Sequence, residues 1–101
     1  MEVSDKVKTL LGFAKKSGNL FSGEKAVEGC IKRNKAYLIL IADDFSEKRK
    51  YYYVKWFEDK GIPFLKIGSK AECGYMLGSS PRNLIAITDR QIAETILRYL
   101  T

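Results

Sequence analysis

Ala36-Tyr37-Leu38-Ile39-Leu40-Ile41-Ala42-Asp43-Asp44 is the stretch on which the fold turns. Seven apolar residues run without a polar interruption and then meet two aspartates. Alternation of apolar and polar residues marks a strand with one wet face, whereas a continuous β-prone run marks a strand covered on both faces. The segment therefore reads as a central strand, ended by Asp43-Asp44, with apolar layers above and below it. Leu84-Ile85-Ala86-Ile87 is a second run of the same kind.

Outward from these strands the patterning turns helical. Residues 4–16 carry Val7, Leu10, Leu11 and Ala14 at helical spacing, with Ser4 as N-cap and Lys15-Lys16-Ser17-Gly18 as a basic, glycine-terminated end. Asn19-Leu20-Phe21 reads as a short strand. Ser22-Gly23 then opens a second helix with Val27, Cys30 and Ile31 inward and Lys32, Arg33 and Lys35 near its end. A third helix runs from Ser46 as N-cap to Lys60, stopped by Gly61, and Pro63–Ile67 is another short strand. Ser69 and Glu72 form a capping-box pattern for a helix through Leu77, and residues 78–83 are a loop by composition. Thr88 and Gln91 read as the cap of a last helix carrying Ile92, Ile96 and Leu100. Helices and strands alternating to the end predict an α/β chain, a three-layer sandwich with helices on both faces of one small sheet. Residues 1–101 are expected to form a single domain, since no repeat, linker or low-complexity segment divides them.

Composition bounds what such a domain does. With 46% hydrophobic residues there is material for one core, and no apolar run approaches the roughly 18 residues of a membrane span. The N-terminus alternates charged and apolar residues, unlike a secretion signal. Cys30 and Cys73 stand alone rather than in a CxxC pair, so reduced thiols in a cytoplasmic protein are expected. The net charge is +6, and its excess lies early: residues 1–70 hold fifteen Lys and Arg against nine Asp and Glu, while residues 71–101 hold three of each. A compact basic face suits a polyanion, because each neutralised phosphate releases condensed counterions.

The absence of histidine removes Ser-His and Cys-His dyads and most zinc sites. The glycines match neither a P-loop nor GxGxxG, so no nucleotide cofactor, metal or small-molecule substrate is expected and the chain is read as no enzyme. Asp43-Asp44 sits where catalytic carboxylates or magnesium ligands can stand in α/β folds, but reads better as a solvated strand terminus. Tyr51-Tyr52-Tyr53 with Trp56 and Phe57 suggests a base-stacking platform. Adjacent helical residues point about 100° apart, however, so core packing plus an amphipathic surface is the better reading.

Two segments do more than fill a fold. Gly18-Asn19-Leu20-Phe21-Ser22-Gly23-Glu24-Lys25-Ala26-Val27 sets a glycine at a helix start, where free N–H groups and the positive end of the dipole face outward. Lys25, in the first turn, is placed to reach a phosphate or a base edge. Gly74-Tyr75-Met76-Leu77-Gly78-Ser79-Ser80-Pro81-Arg82-Asn83 supplies a mobile loop of hydroxyls, one Arg and one Asn, all suited to unstacked bases and phosphates. A plain strand-to-helix turn and an ordinary connection stiffened by proline remain the alternatives.

The order Lys-Ser-Gly-Asn-Leu…Gly-Glu-Lys-Ala-Val, Lys35 to Asp44, Ile62-Pro63, Glu72-Cys73-Gly74…Gly78 and Leu84-Ile85-Ala86-Ile87-Thr88-Asp89 resembles the YlxQ branch of bacterial ribosomal-protein-like proteins, within the L-seven-Ae/L-thirty-e superfamily. The resemblance covers roughly residues 6–98. It implies an α/β/α sandwich around a mixed sheet, L-thirty-e-like, and binding of kink-turn RNA at the start of the second helix and by the loop before the last strand. On that basis Gly23, Glu24, Lys25, Ala26, Lys32 and Arg33 would meet RNA backbone and groove edges, while Ser79, Ser80, Arg82 and Asn83 would clamp from the loop. Gly23 and Lys25 agree with the family's helix start. Ala26 stands where kink-turn binders use Glu or Gln to contact tandem sheared G·A pairs, and Gly29 replaces a phosphate-reaching Lys. Alanine offers no side-chain hydrogen bond, so that part of the readout is missing. The expected function is non-catalytic binding of structured RNA, ribosomal or otherwise, in a ribosome or another ribonucleoprotein. The rivals are a protein-interaction module on the same fold and a recognition subunit for an RNA-modifying enzyme.

Overall fold

A computed structural model describes residues 3–101. The elements are α1 (Asp5–Lys16), β1 (Leu20–Ser22), α2 (Glu24–Lys32), β2 (Leu38–Ala42), α3 (Glu47–Lys60), β3 (Phe64–Gly68), α4 (Lys70–Met76), β4 (Leu84–Ile87) and α5 (Arg90–Leu100). The four strands form one mixed sheet in the order β1-β4-β2-β3, antiparallel except for β2 beside β3.

The two continuous apolar runs occupy the two interior positions, and every residue of β2 and β4 is buried. Their side chains divide by parity. Leu38, Leu40, Ala42, Ile85 and Ile87 join α1, α4 and α5 in one core, with Val7, Leu11 and Ile96 fully enclosed. Ile39, Ile41, Leu84 and Ala86 face α2 and α3, packing against Val27, Ile31, Tyr53 and Phe57. The sheet is thus sandwiched as its sequence requires, since a strand alternates its side chains between two faces.

Several boundaries move from expectation. The central strand begins at Leu38, because Ala36 and Tyr37 are only half buried. The first strand is Leu20–Ser22 rather than Asn19–Phe21. The last helix is capped by Asp89, whose carboxylate accepts the Ile92 N–H at 2.8 Å, and not by Thr88, whose N–H instead donates to Asn19 O. Ser46 precedes α3 but makes no side-chain cap bond. The Ser4 cap and the Ser69–Glu72 capping box form as read. The Ser69 N–H, which donates to Glu72 Oε1 at 2.8 Å, and then the adjacent Ser69 hydroxyl hold the Glu72 carboxyl below the usual carboxylate range.

Cys30 and Cys73 are free and buried. Burial pushes both thiols up, Cys73 to about 11, so both are protonated and poorly nucleophilic at neutral pH. Tyr53 ties the two helices of its layer together: its hydroxyl donates toward Glu28 (2.5 Å) and Glu24 (3.0 Å), and Arg49 pairs with Glu24 beside it.

Burial first, and then the hydrogen bond to Glu28, push the Tyr53 phenol up to about 12. An acid whose folded pKa is raised stabilises the fold below its unfolded value, near 10, and loses that contribution as pH rises through the folded value. An ultraviolet titration of the native chain is therefore expected to show one tyrosine ionising near pH 12, absent in Tyr53→Phe. Tyr53→Phe should cost about 1 kcal/mol at neutral pH and close that gap with the parent chain in alkali, as read by denaturant melts.

Candidate nucleic-acid interface

Strand register aligns four chain segments at one pole of the sheet. Ser22 stands opposite Ile85, Ile41 opposite Leu84, and Ala42 opposite Gly68. The start of α2, the loop into β4, Asp43-Asp44 and the start of α4 therefore meet there. The sequence left open whether the loop before the last strand reaches this pole; the structure brings it there.

The first wall is the start of α2. Gly23 adopts φ +96° and ψ 153°, a left-handed region in which any side chain is strained. Its N–H donates to Leu84 O at 2.9 Å, and its carbonyl accepts the first helical bond from Val27 N–H at 3.0 Å. The N–H groups of Glu24, Lys25 and Ala26 precede that bond, and no side chain caps them. A Cβ built on Gly23 would meet no atom within 4 Å, so the approach is open. Lys25 is exposed and forms no ion pair among the described residues, while Ala26 is half buried.

The second wall is the loop. After α4 the chain reverses at Gly78 (φ +67°) and runs back along the helix. Gly74 makes this possible: a Cβ there would lie 2.2 Å from Ser80 O and 2.9 Å from Pro81 Cα. The Ser79 N–H donates to Gly74 O at 2.8 Å and the Arg82 N–H to Lys70 O at 3.0 Å. Arg82 fastens the assembly. Its Nε donates to Ser22 Oγ at 3.0 Å, immediately before Gly23, while Nη1 reaches Ser80 Oγ at 2.7 Å and Pro81 O at 3.2 Å. The Asn83 carbonyl accepts from Ala42 N–H at 2.9 Å, and Asn83 Oδ1 is buried without a hydrogen-bond partner among the described residues. The loop expected to be mobile is instead pinned along its length, and its one Arg spends several donors on the pinning.

Other candidates are placed differently. Glu24 turns away toward α3, where its carboxylate takes Arg49 and Tyr53. Lys32 and Arg33 lie at the far end of α2, about 13 Å along the axis from Gly23. The Arg33 guanidinium folds back beside Gly29, 3.5 Å from where a Cβ would stand. Asp44 is a cap and not a free carboxylate, since its Oδ1 accepts the Lys70 N–H at 2.8 Å. No group of three or more potential metal ligands occurs among the described residues. Sequence reasoning missed Ser22 and Arg49. Ser22 reads only as part of a helix opening, although its hydroxyl is the anchor of Arg82; Arg49 is one cation in a charged helix and carries no local signal.

Comparison with known proteins agrees with this architecture. A family model described as the ribosomal protein L7Ae/L30e/S12e/Gadd45 family matches residues 5–96. The chain is 32% identical over 93 residues to the RNA-binding protein YlxQ of Enterococcus faecium, covering 88% of this chain and 85% of that one. It is 30% identical over 89 residues to the large ribosomal subunit protein eL8 of Thermoplasma volcanium, covering 87% and 74%. Among solved structures, the 15.5kD RNA binding protein of Giardia lamblia superposes with a TM-score of 0.74 at 21% identity, over 97% of this chain and 87% of that chain. The order of motifs, the α/β/α sandwich and the family model converge, and the chain belongs to the ribosomal protein L7Ae/L30e/S12e/Gadd45 family.

Proposed function

We propose that the chain is a single-domain, non-catalytic RNA-binding protein of the cytoplasm that grips a bent, kink-turn-like RNA at the pole built by Gly23 and the 79–83 loop, as part of a ribosome or another ribonucleoprotein. The observation that carries this reading is the Arg82–Ser22 bond, which locks the loop against the open start of α2. Two walls held at fixed separation suit a ligand recognised by shape. The relatives named for RNA binding and for the large ribosomal subunit support the same class of partner.

Each residue has a distinct task in this reading. Gly23 lets a phosphate approach the peptide N–H groups of Glu24, Lys25 and Ala26, where the helix dipole favours negative charge. Lys25 adds the mobile cation. Ser80, exposed at the loop tip, faces the nucleotides across the gap; the Ser79 hydroxyl, bonded to Gly74 O and Ser80 O, and the buried Asn83 amide oxygen shape the loop behind it, and Arg82 keeps that wall in place. Lys32 and Arg33 meet backbone further along an RNA that follows α2. Glu24 acts indirectly, by fixing α2 to α3. Ala26 brings no hydrogen bond to a base edge, so the readout rests on shape and backbone more than on base identity.

Gel-shift titrations with a kink-turn RNA and with bulk cellular RNA, at two salt concentrations, test this. Binding that weakens with salt is expected, and Lys25→Gln should lower the slope of log affinity against log salt by about one if Lys25 contacts a phosphate. No binding to any RNA at low salt would overturn the reading, and a partner retained after nuclease treatment would favour a protein-interaction module. Gly74→Ala drives a methyl group into the Ser80 carbonyl and should cost about 1–3 kcal/mol together with much of the RNA affinity. Arg82→Gln, which frees the loop without touching α4, should weaken RNA binding at a smaller cost in melting temperature. Full affinity in both variants would remove the loop from the contact surface.

A further inference from the structure

The outer face of α3 carries the largest group of exposed aromatic rings on the described surface. Tyr51 and Tyr52 are 66% and 62% exposed, while Tyr53 and Phe57 on the same helix are in the core. Trp56, half buried, stands one turn after Tyr52 with the two rings edge-on at 6.4 Å. The triple-tyrosine run thus splits: one ring holds the helix down and two stand in water. An exposed aromatic group of this size is uncommon on a soluble surface and marks an interaction site.

Cations surround it. Lys55 Nζ lies 5.6 Å from the Tyr51 ring centroid, and Lys48 and Arg49 flank Tyr52 on the side toward the α2 start; the acidic neighbours are Asp59 at the far end and Glu28, which accepts from the Tyr53 hydroxyl. Arg49 also pairs with Glu24, the first residue of α2, so the aromatic face continues directly from the proposed RNA pole. The tyrosine and tryptophan rings, spaced along one helix and interleaved with cations, are the elements of a stacking surface for unpaired bases: the rings take base faces in a sequence-tolerant way and the cations follow the backbone. A protein partner would also value the aromatics. Lys48 and Lys55, which form no ion pair among the described residues while Arg49 takes Glu24, and the continuity of the face with an anion-facing helix start favour nucleic acid.

We propose that the Tyr51-Tyr52-Trp56 face of α3, with Lys48 and Lys55, binds single-stranded nucleotides that extend from the folded RNA held at the Gly23 pole. The proposal rests on the reading of the chain as an RNA-binding protein and adds to it a second, stacking contact for unpaired flanks.

Trp56 is the only tryptophan of the chain, so its fluorescence reports on this face directly. The experiment compares a kink-turn RNA with blunt ends and the same RNA carrying an unpaired mixed-sequence extension of roughly ten nucleotides. The extension is expected to tighten binding about tenfold or more and to quench Trp56, as stacking of even one base does. Tyr51→Ala/Tyr52→Ala, both at exposed positions, should abolish the gain while leaving affinity for the blunt RNA unchanged, with only a small fall in melting temperature from the lost Tyr52 contacts with Tyr53 and Trp56. Lys48→Gln/Lys55→Gln should reduce the gain and its salt dependence. Equal affinity for the two RNAs with no change in Trp56 fluorescence overturns the proposal and leaves the RNA reading standing. Failure of both RNAs to bind overturns both. Trp56 quenching by a nuclease-treated protein partner, and not by the extended RNA, makes the face a protein-docking surface and likewise overturns the proposal.

Discussion

Two adjacent strands that can expose neither face govern this molecule. Leu38–Ala42 and Leu84–Ile87 present an apolar side chain at every position, so water is excluded from both sides of the sheet centre. Burying an aliphatic side chain fully is worth about 1.5–3 kcal/mol. Leaving either face bare would forfeit several such terms, against a total stability of only about 5–15 kcal/mol. Helices must therefore cover both sides, and the short connections send each helix back across the sheet. The sheet itself meets water only at the ends of its strands among the described residues, and the candidate interface lies at one of those ends.

What distinguishes one end from the other is how its helices begin. Those starting at the Gly23 pole expose peptide N–H groups there, and the structure treats them unequally. At α4 the donors are taken by Ser69 and by the carboxylate of Asp44, which reaches across from the end of β2. At α2 the capping position is a glycine with no side chain, and the nearby carboxylate of Glu24 is drawn off by Arg49 and Tyr53. The same network that packs α3 against the sheet thus keeps the start of α2 free. Loop and helix are then set at fixed spacing by two contacts of small residues, Ser22 with Arg82 and Gly74 with Ser80.

Much of the fold was legible because it depends on periodicity. Continuous apolar runs, the helical stripe at Val7, Leu11 and Ala14, and the Ser69–Glu72 box each act within a few residues. The boundaries that moved are those decided by partners distant in sequence. Asp89 caps α5 in place of Thr88, whose N–H pairs with Asn19 O, 69 positions earlier in the chain, and so continues the pairing at the end of β4. The site was half legible. A glycine at a helix start is a local signal, and Gly23 needed one. That Gly74 is a seat for the 80–81 backbone, that Arg82 is a brace before it is a contact, and that Glu24 faces inward to α3 are facts of tertiary geometry with no local trace. Tyr51-Tyr52-Tyr53 shows both sides: helical geometry ruled out one face for all three rings, but only packing decided which ring goes inside.

The distribution of charge separates this design from that of a generally basic protein. Of the net +6, little is concentrated at the Gly23 pole, where Asp43, Asp44, Glu47 and Glu72 accompany Lys25, Lys48, Lys70 and Arg82. A surface so nearly balanced holds a polyanion weakly through diffuse attraction, which falls off within a Debye length of about 8 Å at physiological salt. Peptide N–H groups act differently: they are fixed in direction, need no rotamer ordering and strengthen when a ligand excludes water from them. Under the proposed RNA reading, selectivity for a bent backbone would follow from geometry. On that reading the curvature of the ligand has to match the spacing between the donors at Glu24–Ala26 and the 79–83 loop, which Arg82 and Gly74 hold constant. The rigidity of the 79–83 loop, the feature least expected from its sequence, is the physical condition that the proposed recognition by shape requires.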